Sequence, residues 1–233
     1  MQNTADSDTA STQNCTAGNG IDMLWERLEE QLRIHAPGIA NRLRPGVTED
    51  QLLAAEKEIG QPLPPDIRDS YLRHDGCEQA LSKTEIGFFV RYQWLPLDMV
   101  MQLWRQETID FDPDHPYFYD SSDGQWDALP VRPWQTPPTA WLPIGKCIGE
   151  PATIYLDLLP GPAGAASQLV VRDVDSMSTS IFTSQFRDFL RDLIQGFESK
   201  GLVVAQSLYE SADDWCYADG ASLIPTGSKS VWG

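Results

Sequence analysis

The sequence predicts an α+β fold, a central and mostly antiparallel sheet flanked by N-terminal helices and one late helix. Three observations predict it. Residues 21 to 76 repeat their apolar positions at helical spacing, and residues 86 to 171 carry short apolar runs between turn residues. Residues 182 to 198 then return to helical spacing. Helices, then strands, then a helix suit helices segregated onto one sheet better than a doubly wound α/β arrangement.

In the first helix, Ile21, Leu24, Trp25, Leu28 and Leu32 alternate with Glu26, Arg27, Glu29 and Glu30, and Pro37 and Gly38 lie beyond its end. Thr48 is an N-cap for the second, with Gln51 completing a capping box, Leu52, Ala55 and Ile59 on one face, and Gly60 suited to a left-handed end. Leu63-Pro64-Pro65 breaks the chain, and Pro65 opens a third helix with Ile67, Tyr71 and Leu72 as its apolar side and Gly76 as its stop. Ile86 to Tyr92 is predicted as a strand, and Asp98 as the N-cap of a short helix over Met99 to Gln106. Trp141 to Ile144, Ala152 to Asp157 and Gln168 to Val171 follow as strands, separated by Gly145, Gly149 and the Pro160 to Gly164 turn. Phe182 to Glu198 is the late helix, with Phe186, Phe189, Leu190, Leu193, Ile194 and Phe197 on one face, and Leu202 to Ala205 is a short strand after it.

Composition narrows the function. The 233 residues are 41% hydrophobic, which supplies one sizeable core. Thirty-four acids against 17 bases give a net charge of -17. Such a surface repels nucleic acid and anionic membranes and suits a basic protein partner. No run is long and apolar enough to span a bilayer. The opening residues, MQNTADSDTASTQNCTAGNG, contain no Lys or Arg and no apolar run. They read as a disordered leader, dispensable for folding, rather than a signal peptide. Cysteines at 15, 77, 147 and 216 are scattered without a paired spacing, so reduced thiols in a cytoplasm are expected instead of a zinc site or disulfide framework.

Motifs for chemistry are missing. The chain has no GxSxG elbow, P-loop or GxGxxG fingerprint, and Gly161-Pro162-Ala163-Gly164 reads as a hairpin turn. His74-Asp75 has the form of a metal-binding dipeptide, but the only other histidines are His35 and His115, so it is expected to be a helix terminus. Asp173 and Asp175 read as a solvated turn, and Glu56 and Glu58 show no partner for acid–base work. The expectation is a protein that is no enzyme, with no metal and no cofactor.

The stretch ETIDFDPDHPYFYDSSDGQWD, residues 107 to 127, stands apart. It carries seven acids and five aromatics without one Lys or Arg. Aromatics supply anchors and carboxylates steer basic groups, which is how protein-binding surfaces are built. Asp110, Asp112, Asp114, Tyr117, Tyr119, Asp120, Asp123, Trp126 and Asp127 are therefore the candidate partner-binding residues. The alternative is a long loop whose aromatics pack back onto the body.

The segment GVTEDQLLAAEKEIGQPLPPDIRDSYLRHDG resembles the N-terminal signature of the Smi/Knr cell-wall-assembly-regulator family, the SUKH superfamily. Glu56, Gly60, Leu63-Pro64, Tyr71 and Asp75-Gly76 stand in the places of its pattern. The likeness continues through Phe88-Phe89, Leu95-Pro96-Leu97-Asp98, Trp141 to Ile144, Leu156-Asp157-Leu158 and Phe186 to Leu190. It implies a SUKH-like α+β domain over residues 21 to 210 behind the leader of residues 1 to 20. Within that frame, 107 to 135 would be an acidic aromatic insertion and 211 to 233 a C-terminal extension. The family implies no catalytic residues. A bacterial immunity-type member is expected, one that binds a cognate toxin with a basic active-site surface, contact-delivered or secreted, by a type VI system for example. A regulatory interaction module is the alternative. The oligomeric state is left open.

Overall fold

The computed structural model describes residues 20–78, 87–89, 92–109, 130–131, 140–147, 151–173, 175, 178–199, 202–206 and 213–217. The leader, residues 1–19, lies outside them. So does most of the acidic aromatic stretch.

Four helices come first: α1 (Gly20–His35), the single turn α2 (Pro37–Ala40), α3 (Glu49–Ile59) and α4 (Pro65–Arg73). Local chemistry sets their limits as expected. Thr48 and Gln51 form both halves of a capping box on α3, and Gly60 ends it at φ 86°. Pro65 is the first residue of α4. Turn α2 follows the Pro37 break directly, an element that the break itself conceals in the sequence.

Among the described residues the sheet has five strands in the order β1-β2-β3-β4-β5, each neighbour pair antiparallel. They are β1 (Tyr92–Trp94), β2 (Trp141–Cys147), β3 (Ala152–Asp157), β4 (Leu169–Asp173) and β5 (Ser178–Thr183). The α+β class is thus present. Proline is rare inside a central strand because it cannot donate to the ladder. Pro143 of β2 is accommodated at a bulge, where the register with β3 shifts between Pro143 and Gly145.

Several expected boundaries are corrected, among them that of β2, which runs through Gly145 to Cys147. Of the strand expected at 86 to 92, residues 86, 90 and 91 lie outside the described residues, while Phe89 and Tyr92 bridge each other and β1 begins at Tyr92. Helix α5 runs Leu97–Ile109, starting before Asp98 and extending past Gln106. The late helix α6 (Phe186–Ser199) starts four residues later than expected, because Phe182 belongs to β5. A final ribbon pairs β6 (Leu202–Gln206) with β7 (Asp213–Tyr217).

The main core lies between the helices and one sheet face. Leu142, Ile144, Ile154, Leu156, Leu169 and Phe182 meet Trp25, Leu28, Leu32, Tyr71, Phe186, Phe189 and Leu193 there. Trp25, Phe88, Trp94, Tyr71 and Phe186 form a continuous set of ring contacts at its centre. Ion pairs strap the helices outside it. Arg27 of α1 meets Glu198 of α6, Asp66 of α4 meets Arg187 of α6, and Arg73 of α4 meets Glu29 of α1.

Candidate interaction site

The signature segment closes on the start of α5. His74 is the extended cap residue of α4, one step past the helical turn expected for it. Its Nδ1 faces the Arg44 carbonyl at 3.1 Å and its Nε2 faces Glu29 at 2.9 Å, while the ring sits edge-on to Trp25. Burial pushes Glu29 upward, but the bonds from Arg73 and His74 outweigh it and hold the carboxyl below its ordinary range. Asp75 Oδ1 accepts the Leu97 N–H at 2.7 Å, and its Oδ2 lies 3.0 Å from Arg44. The first amide of α5 is therefore capped from 22 residues away, which corrects the expectation that Asp98 caps it. Asp98 instead accepts the Met99 N–H at 2.7 Å. Tyr71 adds a bond to the Leu95 carbonyl at 3.0 Å.

Glu56, Glu58 and Asp173 also hold parts of the fold together. Glu56 accepts the Leu63 N–H at 3.0 Å, which fixes the Leu63-Pro64-Pro65 break, and lies 3.3 Å from Arg68. Glu58 pairs with Arg105 of α5 at 2.5 Å. Asp173 accepts the Asp175 N–H at 2.9 Å and so shapes the β4–β5 turn. No group of three metal-ligating side chains occurs among the described residues.

The second sheet face is different. Register places Pro143, Tyr155, Val170 and Ile181 side by side, and Lys146, Thr153, Arg172 and Thr179 in the next row on the same face. Trp141, Tyr155 and Val170 form a small buried cluster with Val131 and Ala140, and Ile181 packs against it. Helix α5 follows β1 and packs on β2, and its last turn delivers Glu107 to this face. Tyr155 Oη donates to Glu107 Oε1 at 3.1 Å.

The far end of the acidic stretch arrives at the same place. The Pro130 carbonyl accepts the Gly161 N–H at 3.0 Å and the Gln168 side-chain amide at 2.8 Å. Gln168 is itself held by Asp157 Oδ2 at 2.7 Å. A Cβ on Gly164 would lie 2.3 Å from that carbonyl, so the glycine-rich turn is also the cradle for Pro130. All nine candidate partner-binding residues, Asp110, Asp112, Asp114, Tyr117, Tyr119, Asp120, Asp123, Trp126 and Asp127, lie outside the described residues. What the structure fixes is where the chain leaves, at Glu107–Ile109, and where it returns, at Pro130–Val131. Tyr155 and Gln168, which receive those ends, carry no local sequence signal, because their partners are 48 and 38 residues away.

Burial raises the Glu107 carboxyl above its ordinary value of 4.5, against the downward pull of the Tyr155 bond, Arg172 and Lys146. A raised folded value means that the group costs no stability below 4.5. The cost develops as pH rises from there through the folded value. Glu107→Gln should therefore melt higher than the parent chain at pH 7.5, with the advantage closing toward pH 4. Parallel melting curves at both pH values would sink this account.

Fold and site together define an α+β scaffold in which the polar side chains of the signature segment join its own elements. Comparison makes the class specific: the model of the SMI1 / KNR4 family (SUKH-1) matches residues 46–192, and the chain belongs to that family. It is 25% identical to the cell wall assembly regulator SMI1 of Saccharomyces cerevisiae, over 89% of this chain and 45% of that protein. It is 23% identical to KNR4/SMI1 homolog 2 of Debaryomyces hansenii, over 86% and 40% respectively. The cell wall biosynthesis/cell cycle regulator smi1 of Schizosaccharomyces pombe is 26% identical, over 71% and 34%. The chain thus spans less than half the length of these curated relatives. No helix among the described residues is long and apolar enough to cross a membrane.

Proposed function

We propose that this chain works in the cytoplasm by binding another protein, and that it performs no chemistry of its own. One observation carries the reading: seven acids and five aromatics are concentrated in residues 107 to 127 of a chain whose net charge is already -17. A basic protein surface complements that segment. On the reading we favour, the surface is the active site of a toxic enzyme, delivered by a neighbouring cell, which the chain occludes. The names of the relatives, regulators of cell wall assembly and biosynthesis, favour a second reading, a regulatory module with several partners.

Capture of partners on the tagged chain, followed by mass spectrometry, separates the two. One stoichiometric basic enzyme whose activity stops on binding supports neutralisation, whereas several substoichiometric partners support regulation. With the partner in hand, the Asp112→Lys, Asp114→Lys double variant should associate about tenfold more slowly at low salt, since rim charges act through steering. Trp126→Ala should accelerate dissociation, costing about 2–4 kcal/mol as a buried anchor does. Binding unchanged in both variants would show that another surface makes the contact. Turnover by the purified chain that disappears in Asp75→Asn would overturn the non-catalytic proposal.

A further inference from the structure

We infer that His74 is a proton-operated latch. With hydrogen on both ring nitrogens it ties α1 and the segment before α3 to the end of α4, and with one hydrogen gone it releases that segment. Helix α1 and Arg44 both lie ahead of residue 46, where the family match begins, so the latch joins what precedes that match to its signature segment.

A neutral imidazole offers one N–H donor and one lone-pair nitrogen, whereas the imidazolium offers two donors. Both ring nitrogens of His74 face acceptors. Nδ1 is 3.1 Å from the Arg44 carbonyl, which can only accept, and Nε2 is 2.9 Å from Glu29 Oε1. Only the doubly protonated ring makes both bonds. Water has little room to replace a missing one, because the side chain is 17% exposed and Trp25 lies edge-on to it at 5.1 Å between centroids.

The charged groups around the ring come from three elements. Helix α1 presents Glu29, with Arg33 3.6 Å from its other carboxylate oxygen. Helix α4 presents Arg73, which shares Glu29 Oε1 at 2.5 Å and also feels Glu26 and Asp22 of α1. The segment before α3 presents Arg44, whose guanidinium pairs with Asp75. Glu29, held below its ordinary 4.5, stays charged between about pH 5 and 8, where histidine changes charge. The neutral ring then has one hydrogen to place. A bond to a carboxylate is about twice as strong as one to a neutral carbonyl, so that hydrogen stays on Nε2 and the Arg44 carbonyl is let go. The bond to Arg44 is therefore present at acid pH and lost as pH rises through the His74 ionisation. Its loss falls on a short ladder, in which the Arg44 N–H donates to the Gly76 carbonyl at 3.0 Å and the Asp75 N–H to the Pro45 carbonyl at 3.3 Å.

A titration of the nitrogen-15-labelled full chain from about pH 5 to 9 tests the latch. Two-bond proton–nitrogen spectra read the ring, and exchange of the Arg44 and Asp75 amides, corrected for the intrinsic rate at each pH, reads the ladder. At the acid end both His74 nitrogens should carry hydrogen. As Nδ1 loses its hydrogen, protection of the two amides should fall about five- to tenfold, the factor for one hydrogen bond. A chain with His35→Gln and His115→Gln keeps His74 as its only histidine and should repeat the response. His74→Gln should hold one level of protection throughout.

Four outcomes overturn the inference. A ring nitrogen bare over the whole range is one, and hydrogen lost first from Nε2 is another. The third is amide protection that does not follow the ring. The fourth is a response that survives in His74→Gln or disappears from the His35→Gln, His115→Gln chain. The first three are read on the parent chain, so a His74→Gln chain that fails to fold leaves the test intact.

Discussion

Gly76→Ala is expected to destabilise the folded chain by about 3–5 kcal/mol and to lower Tm by roughly 10 °C, the sum of backbone strain and overpacking at one position. Gly76 sits at φ 65°, a region that side chains rarely enter. An added Cβ would also lie 2.6 Å from the Leu95 carbonyl carbon, 2.7 Å from its oxygen and 2.8 Å from the Pro96 nitrogen. All three are backbone atoms in a segment that cannot retreat. Leu95 accepts from the Tyr71 hydroxyl and donates to the Ile144 carbonyl at 2.9 Å, and Asp75 holds the Leu97 amide just beyond. Gly38 is the control, since nothing lies within 4 Å of an added Cβ there. Urea unfolding of the two variants compares them directly. A Gly76→Ala chain within 1 kcal/mol of the parent, about the size of an ordinary surface effect, would show that the Leu95–Leu97 segment yields.

Trp25→Ala should cost a similar amount, about 3–5 kcal/mol, the range for deleting a large buried aromatic. Trp25 is fully buried and stacks on Phe88 and on Trp94, each at 5.5 Å between centroids. Its indole N–H donates to Ser70 Oγ at 2.8 Å, and Ser70 donates in turn to the Asp66 carbonyl at 2.6 Å. The substitution therefore leaves a void and an unsatisfied buried hydroxyl acceptor together. Trp25→Phe keeps the stacking and isolates the N–H, so it should fall between the parent and the alanine variant. The position is informative because α1 lies outside the matched family range of 46–192. A Trp25→Ala chain as stable as the parent would show that α1 is an accessory to the core and not part of it.

What the sequence disclosed and what it hid divide along contact distance. The Thr48–Gln51 capping box, the left-handed Gly60 and Pro65 at the head of α4 are each settled within four residues, and all three could be read directly. Strand β3 has the limits its apolar run suggests. The cap on α5 could not be read, because a plausible local candidate, Asp98, stands beside the amide that Asp75 reaches from a distance. Strand β5 escaped for another reason. Ser178, Thr179 and Ser180 carry no apolar alternation, and Phe182 continues the apolar series of the helix that follows. Glu56 and Glu58 seemed unpartnered because Arg68 and Arg105 approach only when α4 and α5 pack. The acidic aromatic segment was legible as composition, and composition does not give a path through space. Its anchors, Tyr155 and Gln168, became visible only once strands were paired.

The packing of α1 against α6 bears on how the chain acquires its structure during synthesis. Arg27 and Glu198 are 171 residues apart, and Asp66 and Arg187 are 121 apart. The apolar faces of α1 and α4 therefore have no complete cover until the sheet has formed and α6 has left the ribosome. Contacts of such long range close slowly, and the intermediates that precede them expose apolar surface. Trp25 can meet Ser70, Phe88 and Trp94 as soon as those residues emerge, but the faces of α1 and α4 that α6 covers stay open to other chains until residues 186–199 have been made.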